Sequence, residues 1–214
     1  MLRPIVALLH DSYVQKRRSD ALRHRSNSVA TVAQSWPMAR SDRPARPLDA
    51  AALDRLALRY VERFATTRAK LAQYLNRKIR ERGWEGESAD PVALAERFAE
   101  LGYIDDRAFG EARARSLTRR GLGMRRVAMA LHQAGVAGED REEILPEVAE
   151  QAVDTALRFA QRRRFGPFGA VEVDRPVQEK QVGAMVRAGH ASDLARRIVR
   201  LAPGDDTAFL FETD

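Results

Sequence analysis

The sequence predicts an all-α protein of three tandem three-helix repeats that form an elongated, curved array. Apolar residues recur at helical spacing from residue 48 onward, with Gly, Pro and Asp between the segments and no alternating strand pattern. The same order of three segments then occurs three times, with a period of about 50 residues. Because one such unit buries little apolar surface alone, we expect neighbouring units to stack side by side.

The first repeat is predicted to span residues 48–104. Its first segment, "LDAAALDRLALRYVERFA", places apolar side chains on one helical face, at Leu48, Ala52, Leu56, Tyr60 and Phe64. The middle helix is expected to begin at an N-cap, Thr66 or Thr67, and to stop at Gly83. The closing helix begins after Asp90 and directs Leu94, Phe98 and Leu101 to one side.

The second and third repeats are predicted to span residues 105–150 and 151–214. The middle helices align through matched positions, which are Leu71, Leu75 and Gly83; Val127, Leu131 and Gly135; and Gln181, Met185 and Gly189. The closing helices align through Leu94, Ile144 and Leu194, which are 50 residues apart. Pro146 lies inside the second closing helix, so we expect a kink or a fresh start there.

The net positive charge of the chain is concentrated in the first 47 residues. They contain nine basic and three acidic residues, a net charge of +6, whereas the other 28 basic and 27 acidic residues give only +1. We predict a disordered basic tail over residues 1–47, and we place the natural start of translation at Met38, where "MARSDRPARPLDAAALDRL" leads into the first helix.

The chain has no cysteine and no apolar run of membrane-spanning length, which favours a cytoplasmic protein without a disulfide framework. Its four histidines, His10, His24, His132 and His190, lack the spacing of metal ligands. We therefore expect no metal, no cofactor and no membrane contact. No phosphate-binding loop and no nucleophile with a neighbouring base is present, so we expect no enzyme activity.

The adjacent acids Asp105 and Asp106 lie between the "ELGY" end of one helix and the start of the next. A catalytic carboxylate pair would need further groups that separate the two pKa values, and none is visible. We therefore predict that the pair caps a helix. The aromatic residues Trp84, Tyr103 and Phe109 are expected to fill the core between bundles rather than to stack on bases.

The basic residues give the candidate binding surface, because their placement follows the repeat. No acid lies between Glu62 and Glu81 or between Glu111 and Glu139, whereas the first two closing helices collect acids. Stacked repeats would therefore carry a basic stripe and an acidic one, unless the charges form only a solvated surface. The candidate partner- or DNA-binding residues are Arg68, Lys70, Arg113, Arg115, Arg119, Arg120, Arg125, Arg126, Arg162, Arg163 and Arg164.

Three segments, "ALRYVERFATTRAKLAQYLNRK", "FAELGYIDDRAFGEARARS" and "RRGLGMRRVAMALHQAGV", resemble the RecX family of recombinase regulators, over roughly residues 53–148. The resemblance implies a non-enzymatic protein of three three-helix repeats, and we expect it to be a monomer. It further implies binding to the RecA filament on DNA and restraint of its ATPase, strand-exchange and co-protease activities, which tempers recombinational repair and the SOS response. The basic tail and the insert "RRRFGPFGAVEVDRP" depart from the family pattern.

An alternative from a different class stays open. The segment "RRGLGMRRVAMALHQAG" is typical of a helix-turn-helix unit, so the protein could bind single- or double-stranded DNA directly. The two hypotheses differ in whether binding depends on the recombinase.

Overall fold

The computed structural model describes residues 46–212, and the predictions of a disordered tail and of a start at Met38 fall almost wholly outside this range. The described part is helical, with one isolated β-bridge between Leu48 and Trp84. Its α-helices are α1 (Ala50–Val61), α2 (Arg68–Arg82), α3 (Pro91–Glu100), α4 (Asp106–Arg119), α5 (Met124–Ala134), α6 (Gly138–Glu150), α7 (Ala152–Arg163), α8 (Arg175–Arg187) and α9 (Ser192–Val199). Short 3-10 turns occupy Gly166–Phe168 and Ala208–Phe211. The all-α prediction is confirmed.

Buried apolar side chains fall into three separate clusters, each supplied by three consecutive helices and their flanks. The first cluster draws on α1–α3, the second on α4–α6 and the third on α7–α9. We refer to these helix triplets as repeats 1, 2 and 3. The middle-helix residues Leu75, Leu131 and Met185 are each fully buried. The three-helix repeat is therefore confirmed, while its residue boundaries and the curvature of the array stay predictions.

Local capping explains where most of these helices begin and end. Asp49, Thr67 and Asp90 each accept a hydrogen bond from a backbone N–H in the first turn of α1, α2 and α3. Thr67 is thus the N-cap of α2, as predicted. The middle helices are followed by glycines with positive φ, at Gly83, Gly135 and Gly189, with φ values of 83°, 75° and 99°.

Four apolar or aromatic residues lie in other places than expected. Leu48 precedes α1 and forms the bridge to Trp84, because the N-cap Asp49 starts the helix one residue later. Phe64 and Leu101 lie beyond the ends of α1 and α3 and are 54% and 64% exposed, since the helical face that they would extend has already ended. Tyr103 is 54% exposed, and its ring meets the core through a tilted contact with Phe98 at a centroid distance of 5.5 Å.

The closing helix of repeat 2 runs through its proline. Helix α6 extends without interruption from Gly138 to Glu150, with Pro146 inside it and exposed. Ile144 and Val148 on either side are buried. Their packing against α4 and α5 therefore keeps the helix continuous, although Pro146 has no backbone N–H to donate. The expected fresh start therefore does not occur at Pro146, and the next helix begins after Gln151.

No helix in the part of the chain from residue 46 to residue 212 combines the length and the apolar character that crossing a membrane requires. In the same range, no three His, Asp or Glu side chains are grouped in a way that could hold a metal ion.

Candidate functional site

Repeats 1 and 2 meet where the N-terminus of α2 faces the C-terminus of α5. The hydroxyl of Thr67 accepts from the backbone N–H of Lys70 at 3.2 Å and donates to the carbonyl of Ala134 at 2.5 Å. The next residue, Gly135, has a left-handed φ of 75°, and a Cβ there would collide with the side chain of Ala69. One threonine therefore caps its own helix and ties it to the neighbouring repeat.

The adjacent carboxylates Asp105 and Asp106 act on two different helices. Asp105 accepts from the N–H of Ala108 at 2.8 Å and caps α4, as predicted. Asp106 is only 8% exposed and accepts from both the backbone N–H and the Nε of Arg68, at 2.9 Å and 3.0 Å. Asp106 thus also satisfies a free donor at the start of α2, a long-range role that local sequence does not indicate.

Arg68 is engaged by carboxylates on two other helices, although 35% of its side chain is exposed. Besides its bonds to Asp106, its Nη1 donates to Glu96 at 2.9 Å. These hydrogen bonds raise the pKa of Arg68 above its ordinary value, and the bond to Asp106 contributes more than the bond to Glu96. A guanidinium held by carboxylates of two other helices is a structural clamp between repeats 1 and 2.

Lys70 and Arg113 come together at the same junction. Lys70 Nζ lies 4.8 Å from the centroid of the Phe109 ring, which favours a cation–π contact. Burial, followed by the charge of Arg113, lowers the pKa of Lys70. These two candidate residues therefore place two positive charges close together at this junction. Lys70 is partly buried and Arg113 is exposed.

Repeats 2 and 3 meet with the same polarity, since the N-terminus of α5 faces the C-terminus of α8. Gly123 donates its N–H to the carbonyl of Ala188 at 3.0 Å, and the N–H of Arg125 donates to Gly189 at 3.3 Å. A Cβ on Gly123 would lie only 2.5 Å from the carbonyl carbon of Gly189. Because donors at the start of α5 are already used in this way, its arginine side chains, rather than its backbone, are left for an anionic partner.

A buried histidine completes this second junction. His190 is 3% exposed, and its Nε2 lies 3.1 Å from the carbonyl oxygen of Gly121. Since a carbonyl only accepts, Nε2 carries the proton. The ring packs on Phe159 at a centroid distance of 5.5 Å. Burial lowers the pKa of His190, which keeps the ring neutral in the folded protein.

Arg162 also has a structural role. Its Nη1 and Nη2 donate to the carbonyls of Arg120 and Arg119, each at 2.9 Å. These carbonyls belong to the last turn of α4 and its C-cap, where a cation is favourable. The contact fixes the end of α7 to the turn between α4 and α5.

Most of the other candidate arginines are exposed. Within residues 46–212, several of their guanidinium groups form no ion pair and no hydrogen bond; these belong to Arg113, Arg119, Arg120, Arg125, Arg126, Arg163 and Arg164. Five of them flank the junction of repeats 2 and 3, and we call these the junction arginines: Arg119, Arg120, Arg125, Arg126 and Arg163. The four-residue turn 120–123 keeps the first four close along the chain, and Arg163 lies over Phe159 at 5.7 Å.

Arg115 lies apart from this group. Two residues along a helix correspond to a rotation of about 200°, so Arg115 and Arg113 point to nearly opposite sides of α4. Arg115 pairs with Glu111 at 3.4 Å, and both line a small groove beside Glu147 of α6. On that side Arg107 also pairs with Glu143 of α6. The acids of α6 therefore neutralise one side of α4 and leave the other side basic.

Comparison with known proteins assigns the family. The family model described as "RecX, second three-helix domain" matches residues 105–145, which span α4, α5 and most of α6. A "Regulatory protein RecX" of Halorhodospira halophila is 36% identical over 150 residues, which cover 70% of this chain and 88% of that protein. The chain belongs to the RecX family. A second RecX regulatory protein, from Myxococcus xanthus, is 30% identical over 162 residues, which cover 71% of this chain and 86% of that protein.

The fold agrees with this family. The crystal structure of RecX from Lactobacillus salivarius superimposes with a TM-score of 0.51 at 18% sequence identity, covering 70% of this chain and 94% of that chain. This similarity supports the arrangement of the helices and carries no information about contact residues. The resemblance of the sequence to the RecX family is thereby confirmed, as is the general role of a regulatory protein.

The RecX sequence pattern did not reveal which arginines are engaged internally. Arg68 and Arg162 look like any other cation in the chain, yet their acceptors lie in other repeats, at Asp106 and at the end of α4. No local signal marked these contacts, because Asp106 is by itself an ordinary acid in the first turn of α4.

Proposed function

We propose that this protein binds the RecA filament on DNA, in the cytoplasm, and inhibits its ATPase, strand-exchange and co-protease activities, acting as a monomer. It thereby tempers recombinational repair and the SOS response. The observation that carries the proposal is the set of junction arginines, which are exposed and without an acidic partner among residues 46–212 although acids are abundant on neighbouring α6. Membership in a family of regulatory proteins supports the choice of partner.

The electrostatics of the junction support an anionic surface on the partner. Arg125 and Arg126 lie in the first turn of α5, which has no acidic residue and no side-chain cap. Cations at the positive end of a helix dipole are unfavourable by themselves. A phosphate backbone or an acidic protein loop would offset this repulsion, and several arginines acting together would withstand screening at physiological salt.

The first test is the single-stranded-DNA-dependent ATPase of the cognate RecA, titrated with the full chain. We expect inhibition at substoichiometric amounts. A variant with Arg119, Arg120, Arg125 and Arg126 all replaced by alanine is expected to need at least about tenfold more protein for the same inhibition, since several charge contacts are lost together.

A matched control removes four exposed arginines elsewhere. Arg55, Arg59, Arg80 and Arg196 lie on α1, α2 and α9 and form no ion pair within residues 46–212. Their joint replacement by alanine lowers the net charge equally, and we expect it to leave inhibition within about twofold of the parent. Equal loss of inhibition in both variants would show that net charge, rather than the junction, determines binding.

Direct binding to bare DNA is the second candidate, favoured by the placement of Arg125 and Arg126 at the start of the second helix after a short turn. Helix-turn-helix proteins contact base edges with this part of their second helix. Tight binding to a DNA duplex without RecA, with a log–log salt slope that drops by roughly two when both arginines are replaced by alanine, would favour this candidate.

A further inference from the structure

The turn between α4 and α5 presents three carbonyls at the end of a helix. We call residues 120–123 the junction turn, and four of the five junction arginines lie in it or close to its ends. The N–H groups of residues 120–122 donate back to the last turn of α4, and that of Gly123 donates to Ala188 in repeat 3. Among residues 46–212, the carbonyls of residues 119–121 accept from no backbone N–H, so they need other donors, as the last carbonyls of a helix usually do.

Side chains of repeat 3 supply the donors for all three carbonyls. Arg162 donates through Nη1 to Arg120 and through Nη2 to Arg119. His190 donates through Nε2 to Gly121 at 3.1 Å. His190 is buried, whereas Arg162 is exposed and lies in the last turn of α7. Because the two N–H groups of a guanidinium edge have a fixed geometry, Arg162 sets the direction of the junction turn as well as its position.

The corresponding turn of repeat 1 is not held in this way. It comprises residues 62–67, and within residues 46–212 none of its carbonyls accepts a hydrogen bond from a side chain of repeat 2. That turn contains a single arginine, Arg63. The neighbouring repeat therefore holds the one of these two turns around which arginines without ion pairs are gathered.

We propose that Arg162 is a positioning residue, which together with His190 holds the junction turn in the conformation that presents the junction arginines and does not itself touch the partner. The inference rests on the proposed function, because it gives repeat 3 a task in the binding made by those arginines. A turn that is held before binding loses little conformational freedom when the partner binds. A turn that adopts the binding conformation for only a fraction of the time has an apparent affinity reduced by that fraction.

The decisive variant keeps the charge and removes the two parallel hydrogen bonds. Lysine at position 162 donates from a single nitrogen, so Arg162→Lys does not hold both carbonyls in the same geometry. We expect Arg162→Lys to weaken binding of the full chain to the RecA filament about fivefold, measured by fluorescence anisotropy, and Arg162→Ala to weaken it at least as much. Arg158→Lys is the control, because Arg158 is exposed one turn earlier on α7 and its side chain forms no hydrogen bond or ion pair within residues 46–212. It is expected to bind like the parent.

The dependence of binding on salt separates positioning from contact. Replacement of an arginine that contacts an anionic partner reduces the log–log salt slope by roughly one. We expect this reduction for the junction arginine variant Arg163→Ala, whereas both variants of Arg162 keep the slope of the parent. Binding of Arg162→Lys as tight as that of the parent, or a reduced slope for Arg162→Ala, would overturn the proposal.

Motion of the junction turn is measured in the free protein by NMR relaxation of the backbone amides of Gly121 and Leu122. We expect order parameters of about 0.85 in the parent and about 0.6 in Arg162→Lys, and equal values in the two proteins would contradict the positioning role. If the parent did not bind the filament, the proposed function would fail. The same variants compared on a DNA duplex without RecA would then decide the role of Arg162, since positioning predicts the same order of affinities there. A parent that bound neither would overturn both.

Discussion

The two junctions between repeats use the same geometry with different chemistry. In both, the N-terminus of one middle helix faces the C-terminus of the middle helix in the following repeat. The first junction is held by side chains, through Thr67 and the Arg68–Asp106 pair. The second is held by backbone contact between Gly123 and Gly189 and by neutral His190. The comparison teaches that the first junction engages Arg68 through carboxylates, whereas the second, built mainly on glycine contacts, engages Arg162 through backbone carbonyls and leaves five arginines without an ion pair within residues 46–212.

The largest expected effect is the loss of glycine at the second junction. Gly189→Ala would place a Cβ 2.5 Å from the backbone nitrogen of Arg126, at a φ of 99° that alanine rarely adopts. We expect a decrease of about 3 kcal/mol in the free energy of unfolding, from steric overlap and backbone strain together. Urea denaturation followed by circular dichroism at the helical bands measures it.

The variant Gly204→Ala separates the effect of steric overlap from the effect of backbone strain. Gly204 has a similar φ of 88°, but nothing lies within 4 Å of the position that a Cβ would take there. Only the strain applies at this residue, so a loss of about 1 kcal/mol is expected. Equal losses for both glycines would contradict the close approach of repeats 2 and 3.

Removal of the carboxylate at the first junction is expected to have the next largest effect. Asp106→Ala leaves Arg68 with a backbone donor and a guanidinium edge that have lost their acceptor. We expect destabilisation of about 2 kcal/mol, below the value for a fully buried pair because the Arg68 side chain is 35% exposed. The neighbouring variant Asp105→Ala removes only a helix cap and is expected to cost about 1 kcal/mol. Chemical denaturation of the two variants side by side tests the difference, and equal losses would argue against a clamp between repeats.

A dependence of stability on pH is expected at the second junction. Burial lowers the pKa of His190, so below its ordinary value of 6.5 the unfolded chain binds a proton more readily than the folded protein does. His190 therefore does not lower the free energy of unfolding above about pH 6.5. Below that pH the free energy of unfolding decreases, as the pH falls towards the pKa of His190 in the folded protein. Melting temperatures between pH 7.5 and pH 5 are expected to fall more steeply for the parent than for His190→Gln. Replacement of the exposed His132 by glutamine is the control. If the melting temperature of His190→Gln fell with pH as steeply as that of the parent, the prediction would be refuted.

The sequence predicted local features well and long-range contacts poorly. The helical periodicity located three repeats, and the glycines at 83, 135 and 189 end the middle helices because a left-handed residue is a local requirement. Asp105 was identified as a cap for the same reason. The roles of Asp106 and Arg162 depend on acceptors and donors in another repeat, which no local pattern encodes. Tyr103 was misplaced because an aromatic residue at a helix end packs in the core only if the next repeat covers it.

The smallest expected effect on stability is the most informative about function. Arg125 and Arg126 lie at the positive end of the α5 dipole, so replacing both with alanine is expected to leave stability unchanged or to raise it by about 0.5 kcal/mol. Arg119 lies in the last turn of α4, where a cation is favourable, and Arg119→Ala is expected to lower stability by a similar amount. Denaturation curves at low ionic strength resolve the two signs, and a clear loss of stability in the double variant would show that these arginines serve the fold. A gain, together with weaker inhibition of RecA, would instead show that the chain carries two cations that oppose its own folding and act only on a partner.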